Sequence, residues 1–134
     1  MRPWLLMKQA GIAFDEIRIA LYQDGHAEKI RVHSPAGRVP VLRDGAVTVW
    51  DSLAIVEYLA DRHPGVWPED ARSRAWARCA AAEMHSGFFA LRSQCGMSCG
   101  QRVRLHEIGA ALQAGQPAPA EKPARRVDPN LAHT

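Results

Sequence analysis

A chain of 134 residues with 47% apolar side chains is long enough for one domain and part of a second, and apolar enough for a packed core. Its formal charge of +3 divides into +1 over residues 1–95 (12 Lys/Arg against 11 Asp/Glu) and +2 over residues 96–134 (5 against 3), which leaves no basic footprint for nucleic acid. Cys79, Cys95 and Cys99 make neither a C-x-x-C pair nor a zinc-ligand set, and no apolar run reaches the roughly 18–20 residues of a membrane span, so a soluble, cytosolic protein in a reducing compartment is expected.

The first ten residues carry Trp4, Leu5, Leu6, Met7 and Ala10 behind Pro3 and ahead of Gly11, the composition of a helix with a proline in its first turn and a glycine at its end. Ile12 to Leu21 alternates Ile12, Phe14, Ile17, Ile19 and Leu21 with Asp15, Glu16 and Arg18, and predicts a strand. His26 to Val32 allows one or two helical turns. From Gly37 to Leu59 the chain reads as a hairpin feeding a helix: an apolar run through Val39-Pro40, a turn at Asp44-Gly45, a strand over 46–50, and a helix from Asp51 to Arg62. Leu53, Val56, Leu59 and Ala60 mark the expected apolar face of that helix. The pattern of helix, strand, short helix, hairpin and helix is an α/β arrangement packing helices on a small mixed sheet.

His63-Pro64-Gly65 ends the helix, and a linker leads to a second helical pattern over Ala71 to about Gln94, with Trp76, Ala80, Met84, Phe88 and Leu91 near one face. Such a helix needs partners to bury its stripe. Gly96 to Gly100 is small and flexible, Gln101 to Gln113 suits one further helix, and Gly115 to Thr134 is a Pro/Ala-rich stretch expected to be disordered. The expected organisation is residues 1–66 as one incomplete domain, 67–95 as a linker and first helix of another, and 96–134 as an irregular tail. The four tryptophans are expected in the core or at a domain contact. Cys95 and Cys99 lack the spacing for redox chemistry, and His85, a lone histidine on the second-domain helix, is read as structural or exposed.

Both ends of the Gly37–Leu59 stretch offer something to a ligand. Pro40 has no N–H, so its strand leaves part of an edge unpaired; were the Val39-Pro40 bond cis, the N–H and C=O of Val39 would face outward for an extended peptide. Asp51 or Ser52 caps the following helix, whose remaining first-turn N–H groups suit a carboxylate. A peptide-like anion spans both points.

Three stretches in order resemble the glutathione S-transferases, most closely a bacterial group allied to the zeta class: R-P-W-L-L-M-K-Q-A-G-I-A-F-D-E at 2–16, S-P-A-G-R-V-P-V-L-R-D-G at 34–45, and D-S-L-A-I-V-E-Y-L-A-D-R-H-P at 51–64. The resemblance, which covers roughly Arg2 to Gln94, implies a thioredoxin-like N-terminal domain followed by a fragment of an all-helical C-terminal domain. It implies that Val39, beside a cis Pro40, pairs its backbone with the cysteinyl part of glutathione, that Asp51 and Ser52 hold the γ-glutamyl carboxylate and amine, and that Arg38 assists the glycine carboxylate. Glutathione would be the cosubstrate, a small electrophile the other substrate, and a homodimer the assembled form.

The family pattern also places a strand and a serine-containing loop, which holds the thiolate, before the R-P-W-L helix, and further helices after about Gln94. The chain is therefore expected to lack its first strand and its activating serine, through an early truncation and a frameshift or rearrangement near Cys95, and to show weak or no transferase activity as written. A noncatalytic glutathione-binding or dimer-forming module, or a defective gene product, is the alternative reading.

Overall fold

The computed structural model describes residues 1–96, 100, 102, 104 and 109–114. Helix α1 (Arg2–Gln9) carries Pro3 in its first turn, where a missing N–H forfeits no intrahelical bond. It ends in a Schellman arrangement: Gly11, at φ +65°, donates to the Lys8 carbonyl at 3.3 Å, and Ile12 donates to Met7 at 2.9 Å. That closure folds Ile12 back against the cluster containing Met7.

The strand expected over Ile12–Leu21 does not form, and residues 12–20 have no regular structure. Alternation prepares a segment for a sheet, but a strand exists only when a neighbour accepts its ladder bonds, and no described strand lies beside it. Ile12 and Phe14 still pack on the core, while Ile17 is exposed. Helix α2 (His26–His33) then fills the place of the expected short helix, entering through Gly25 at φ +73° and burying Ile30.

Strands β1 (Val41–Asp44) and β2 (Val47–Trp50) pair antiparallel, with Val41 opposite Trp50, Leu42 opposite Val49, Arg43 opposite Thr48 and Asp44 opposite Val47. The two-residue loop is Gly45-Ala46, one residue later than the expected Asp44-Gly45 turn; Gly45 takes φ +57°, the positive first position of a tight hairpin turn. Helix α3 (Ser52–Ala60) lies against both strands and against α1. Its buried positions are Ser52, Ile55 and Leu59, so the face turned inward is centred on Ile55, which is 1% exposed, rather than on Leu53 and Val56. Met7, Ile55 and Leu59 form the core, and Leu6, Ile12, Phe14 and the facing pair Leu42 and Val49 pack around it.

A polar clasp holds the hairpin tip to α3. Tyr58 donates its hydroxyl to Asp44 Oδ2 at 2.8 Å, Arg62 Nε approaches the same oxygen at 3.9 Å, and the Arg62 guanidinium stacks 3.7 Å over the Tyr58 ring. The hydrogen bond to a carboxylate keeps the proton on Tyr58, raising its hydroxyl above the usual tyrosine value.

Helix α4 (Ala71–Ser86) is capped by Asp70, whose Oδ2 accepts from Ser73 N–H at 2.7 Å, and Arg74 ties the linker by donating to the carbonyls of Pro68 and Glu69. Arg78 donates to Glu57 of α3 at 3.0 Å. The single helix expected to about Gln94 stops at Ser86; Phe88, at φ +56°, redirects the backbone into α5 (Phe89–Gln94). No residue of α4 is buried, and Trp76 is 69% exposed. Nor does any tryptophan enter the core: Trp4, Trp50 and Trp76 are exposed and Trp67 is half-buried, because the space over the hairpin is filled by aliphatic side chains of α1 and α3.

The chain divides into two compact units, Met1–His85 and Ser86–Thr134. The first is a partial thioredoxin-like domain continued by α4; in the second, the described residues include α5 packed on α6 (Ala110–Ala114), with Leu112 buried. This is the α/β class with a helical C-terminal fragment that the resemblance implies. The expected helix over Gln101–Gln113 lies largely outside the described residues, as do Cys99 and the tail from Gly115. Among the described residues no helix is long and apolar enough to cross a membrane.

Two outcomes test this construction. Ile55→Ala, which empties the centre of the core, is expected to lower stability by about 2–5 kcal/mol in urea unfolding. Hydrogen bonds from Ser73, first its backbone N–H and then its side chain, hold the Asp70 carboxyl below the usual carboxylate range. A depressed carboxyl stabilises the fold above its unfolded titration and loses that contribution as pH falls through the folded value. Asp70→Ala should therefore be less stable than the parent at neutral pH, with the two stability curves converging in acid.

Candidate functional site

The β1–β2 register builds the site. Val41 and Trp50 are the last pair at the open end of the hairpin, so Pro40 and Asp51 stand one residue beyond them on adjacent strands, away from the Gly45-Ala46 turn. Arg38, Val39, Pro40, Asp51 and Ser52 are thereby gathered at one end of the sheet. The Val39-Pro40 bond is cis. Val39 is 46% exposed, and its backbone N–H and C=O have no hydrogen-bond partner among the described residues.

The approach to that peptide is set by Ser34, a residue the sequence reading passed over. Ser34 is 2% exposed and closes the turn after α2: its carbonyl accepts from Gly37 N–H at 3.0 Å and its Oγ from Arg38 N–H at 3.1 Å. Gly37 takes φ +62°, which the turn requires. The sole sequence signal for Ser34 was its place in an S-P-x-G turn pattern. The Arg38 side chain itself is exposed.

On the other strand, Asp51 is the N-cap of α3, and Ser52 is the first helical residue. Asp51 Oδ1 accepts from Leu53 N–H at 2.8 Å and from Ala54 N–H at 3.4 Å, and the Asp51 carbonyl accepts from Ile55 N–H at 3.0 Å. Three amides at the start of α3 are thus taken internally, so few of the first-turn N–H groups expected to remain for a carboxylate do so. What remains is Ser52. It is 8% exposed, and neither its N–H nor its hydroxyl is hydrogen-bonded among the described residues. Asp51 takes φ +76° and ψ 137°, a conformation that costs a non-glycine residue about 1–3 kcal/mol.

His85 also reaches this end of the sheet, its Nε2 lying 3.3 Å from Asp51 Oδ2. Sequence distance hid the contact, since nothing in the local pattern of α4 points to residue 51. Elsewhere, an open depression of about 240 Å³ between α3 and α4 is lined by Ala60, His63, Trp67, Arg74 and Arg78, and none of the five expected site residues borders it. Among the described residues, no group of three or more His, Cys, Asp or Glu converges for a metal ion.

Residues 1–62 match the model of the glutathione S-transferase N-terminal domain. In this segment the chain is similar to the glutathione S-transferase superfamily. It is 32% identical over 88 residues to a maleylacetoacetate isomerase of Rattus norvegicus, covering 62% of this chain and 41% of that protein. To glutathione S-transferase theta-1 of Mus musculus it is 29% identical over 122 residues, 88% of this chain and 48% of the relative. To glutathione S-transferase T1 of Arabidopsis thaliana it is 33% identical over 76 residues, 53% of this chain and 31% of the relative. The chain therefore spans less than half the length of these curated relatives, whose similarity is of zeta and theta type. No solved structure matches it.

The backbone of Asp51 offers a test of whether its conformation is retained for stability. Asp51→Gly removes the positive-φ strain while giving up a cap that glycine replaces at little cost, so its stability should equal or exceed the parent's by up to about 1 kcal/mol. Asp51→Ala keeps the strain and loses the cap, and should be less stable by about 1 kcal/mol or more. Parallel urea titrations of the three proteins decide it.

Proposed function

We propose that this chain binds glutathione at the open end of its hairpin, and that the bound thiol serves a transferase or isomerase reaction on a small electrophile. The observation that carries this reading is the pairing of an unpartnered backbone at Val39 with an unpartnered N–H and hydroxyl at Ser52, each two residues beyond the last pair of the two strands.

Glutathione is a peptide with a carboxylate and an ammonium at one end, an amide in the middle and a second carboxylate at the other. The γ-glutamyl carboxylate meets Ser52 N–H and Oγ–H at the positive end of α3, where a buried donor without a partner gains a charge-assisted bond. Its ammonium meets the Asp51 carboxylate. The cysteinyl residue pairs with Val39 in the manner of an added strand, and the exposed guanidinium of Arg38 suits the glycyl carboxylate.

These residues account for binding. A free thiol with pKa about 8.5 is mostly protonated at neutral pH, so turnover further requires a hydrogen-bond donor at the sulfur, and none of the residues assigned here has that role. Relatives that are named maleylacetoacetate isomerase or glutathione S-transferase support both reaction types equally.

Calorimetric titration with glutathione tests the reading. Dissociation in the millimolar range or tighter is expected, and Ser52→Ala should weaken it roughly tenfold or more, the loss of a hydrogen bond to a charged group. Absence of heat at concentrations well above millimolar, or an unchanged affinity in Ser52→Ala, would overturn it.

A further inference from the structure

The Asp51 carboxylate divides its two oxygens between two tasks. Oδ1 is occupied by the α3 cap, through Leu53 and Ala54 N–H, and Oδ2 faces His85 Nε2 at 3.3 Å across from the last turn of α4. A carboxylate offers about four lone-pair sites and rotates about a broad terminal torsion. Cap bonds to one oxygen leave that rotation loose, whereas a donor on the second oxygen pins it. Both side chains are partly screened from water, so a donor at Oδ2 competes with solvent on favourable terms.

We propose that His85 is a positioning residue for Asp51. In the tautomer with its proton on Nε2 it donates to Oδ2, holding the carboxylate so that Oδ1 keeps the cap and the remaining lone pair of Oδ2 stays directed to the ligand's α-ammonium. The α4 helix thus contributes to a site otherwise built from the hairpin and α3. The role toward the ammonium rests on the assignment of Asp51 and Ser52 to the γ-glutamyl end of glutathione; the hold on the cap does not.

Two measurements on the 134-residue chain separate these parts. Without ligand, amide hydrogen exchange by NMR should be roughly three- to tenfold faster at Leu53 and Ala54 in His85→Ala than in the parent. The Ser73 amide, in the first turn of α4, should not change. His85→Gln, whose Nε2 can donate in the same place, should restore the parent's rates. With ligand, calorimetry compares glutathione with its analogue carrying a γ-glutaryl group in place of γ-glutamyl, which keeps both carboxylates and lacks the ammonium. His85→Ala should weaken glutathione roughly three- to tenfold and leave the analogue unchanged.

Unchanged exchange at Leu53 and Ala54 overturns the inference whatever the ligand does. Equal losses for the two ligands overturn the role toward the ammonium and leave His85 a general support of the fold. If neither ligand binds the parent chain, the glutathione reading fails, and the exchange rates alone decide whether His85 holds Asp51.

Discussion

The structure of this site depends on one carboxylate and the strained backbone that carries it. Asp51 accepts from three successive amides of α3, two through Oδ1 and one through its carbonyl, while its φ of +76° turns the chain from β2 into the helix within a single residue. The strain costs about 1–3 kcal/mol; a side-chain cap returns about 1 kcal/mol. The surplus is covered by what the turn makes possible, the burial of Ile55 and Leu59 against Met7, each worth about 1.5–3 kcal/mol. A gentler connection from β2 would rotate α3 and lift those side chains from the core. The core therefore holds Asp51 in place, and Asp51 in turn sets where Ser52 points.

The same logic distinguishes the two ends of the hairpin. At the turn, Asp44, Tyr58 and Arg62 satisfy one another: a hydroxyl on a carboxylate, a guanidinium beside the same oxygen and over the ring. All three are exposed enough that such contacts contribute little to stability individually; they keep the tip closed on α3. At the open end, by contrast, the Val39 backbone and the Ser52 N–H and hydroxyl have no hydrogen-bond partner among the described residues. This contrast between a clasped end and an end with unused donors is what the proposed glutathione site rests on.

Helix α4 shows how little burial a helix needs when its ends are tied. None of its residues is buried, yet Asp70 caps its start, Arg74 anchors the linker before it, Arg78 joins Glu57, and His85 meets Asp51. These contacts are polar and partly exposed, so they orient the helix more than they stabilise it. Its position is set by a few polar contacts, the last of which, His85 with Asp51, falls at the candidate site.

Much of this was legible in local sequence. The end of α1 at Gly11, the Asp-Gly hairpin signal, the proline at the strand's beginning and the Asp-Ser start of α3 are all properties of a few adjacent residues, because backbone sterics and capping act within a turn. The grouping of Arg38, Val39, Pro40, Asp51 and Ser52 was likewise accessible, since a two-residue loop fixes register and brings both flanks together. Other features had no local sign. The alternation of Ile12 to Leu21 could not say whether a neighbouring strand would pair with it, and the helical pattern of α3 fitted an inward face centred on Val56 as well as one centred on Ile55. Likewise, nothing near residue 85 names residue 51 as its contact. Pairing, the rotation of a helix about its axis and contacts across 34 residues of chain all depend on which surfaces meet, and that is decided only when the whole core packs.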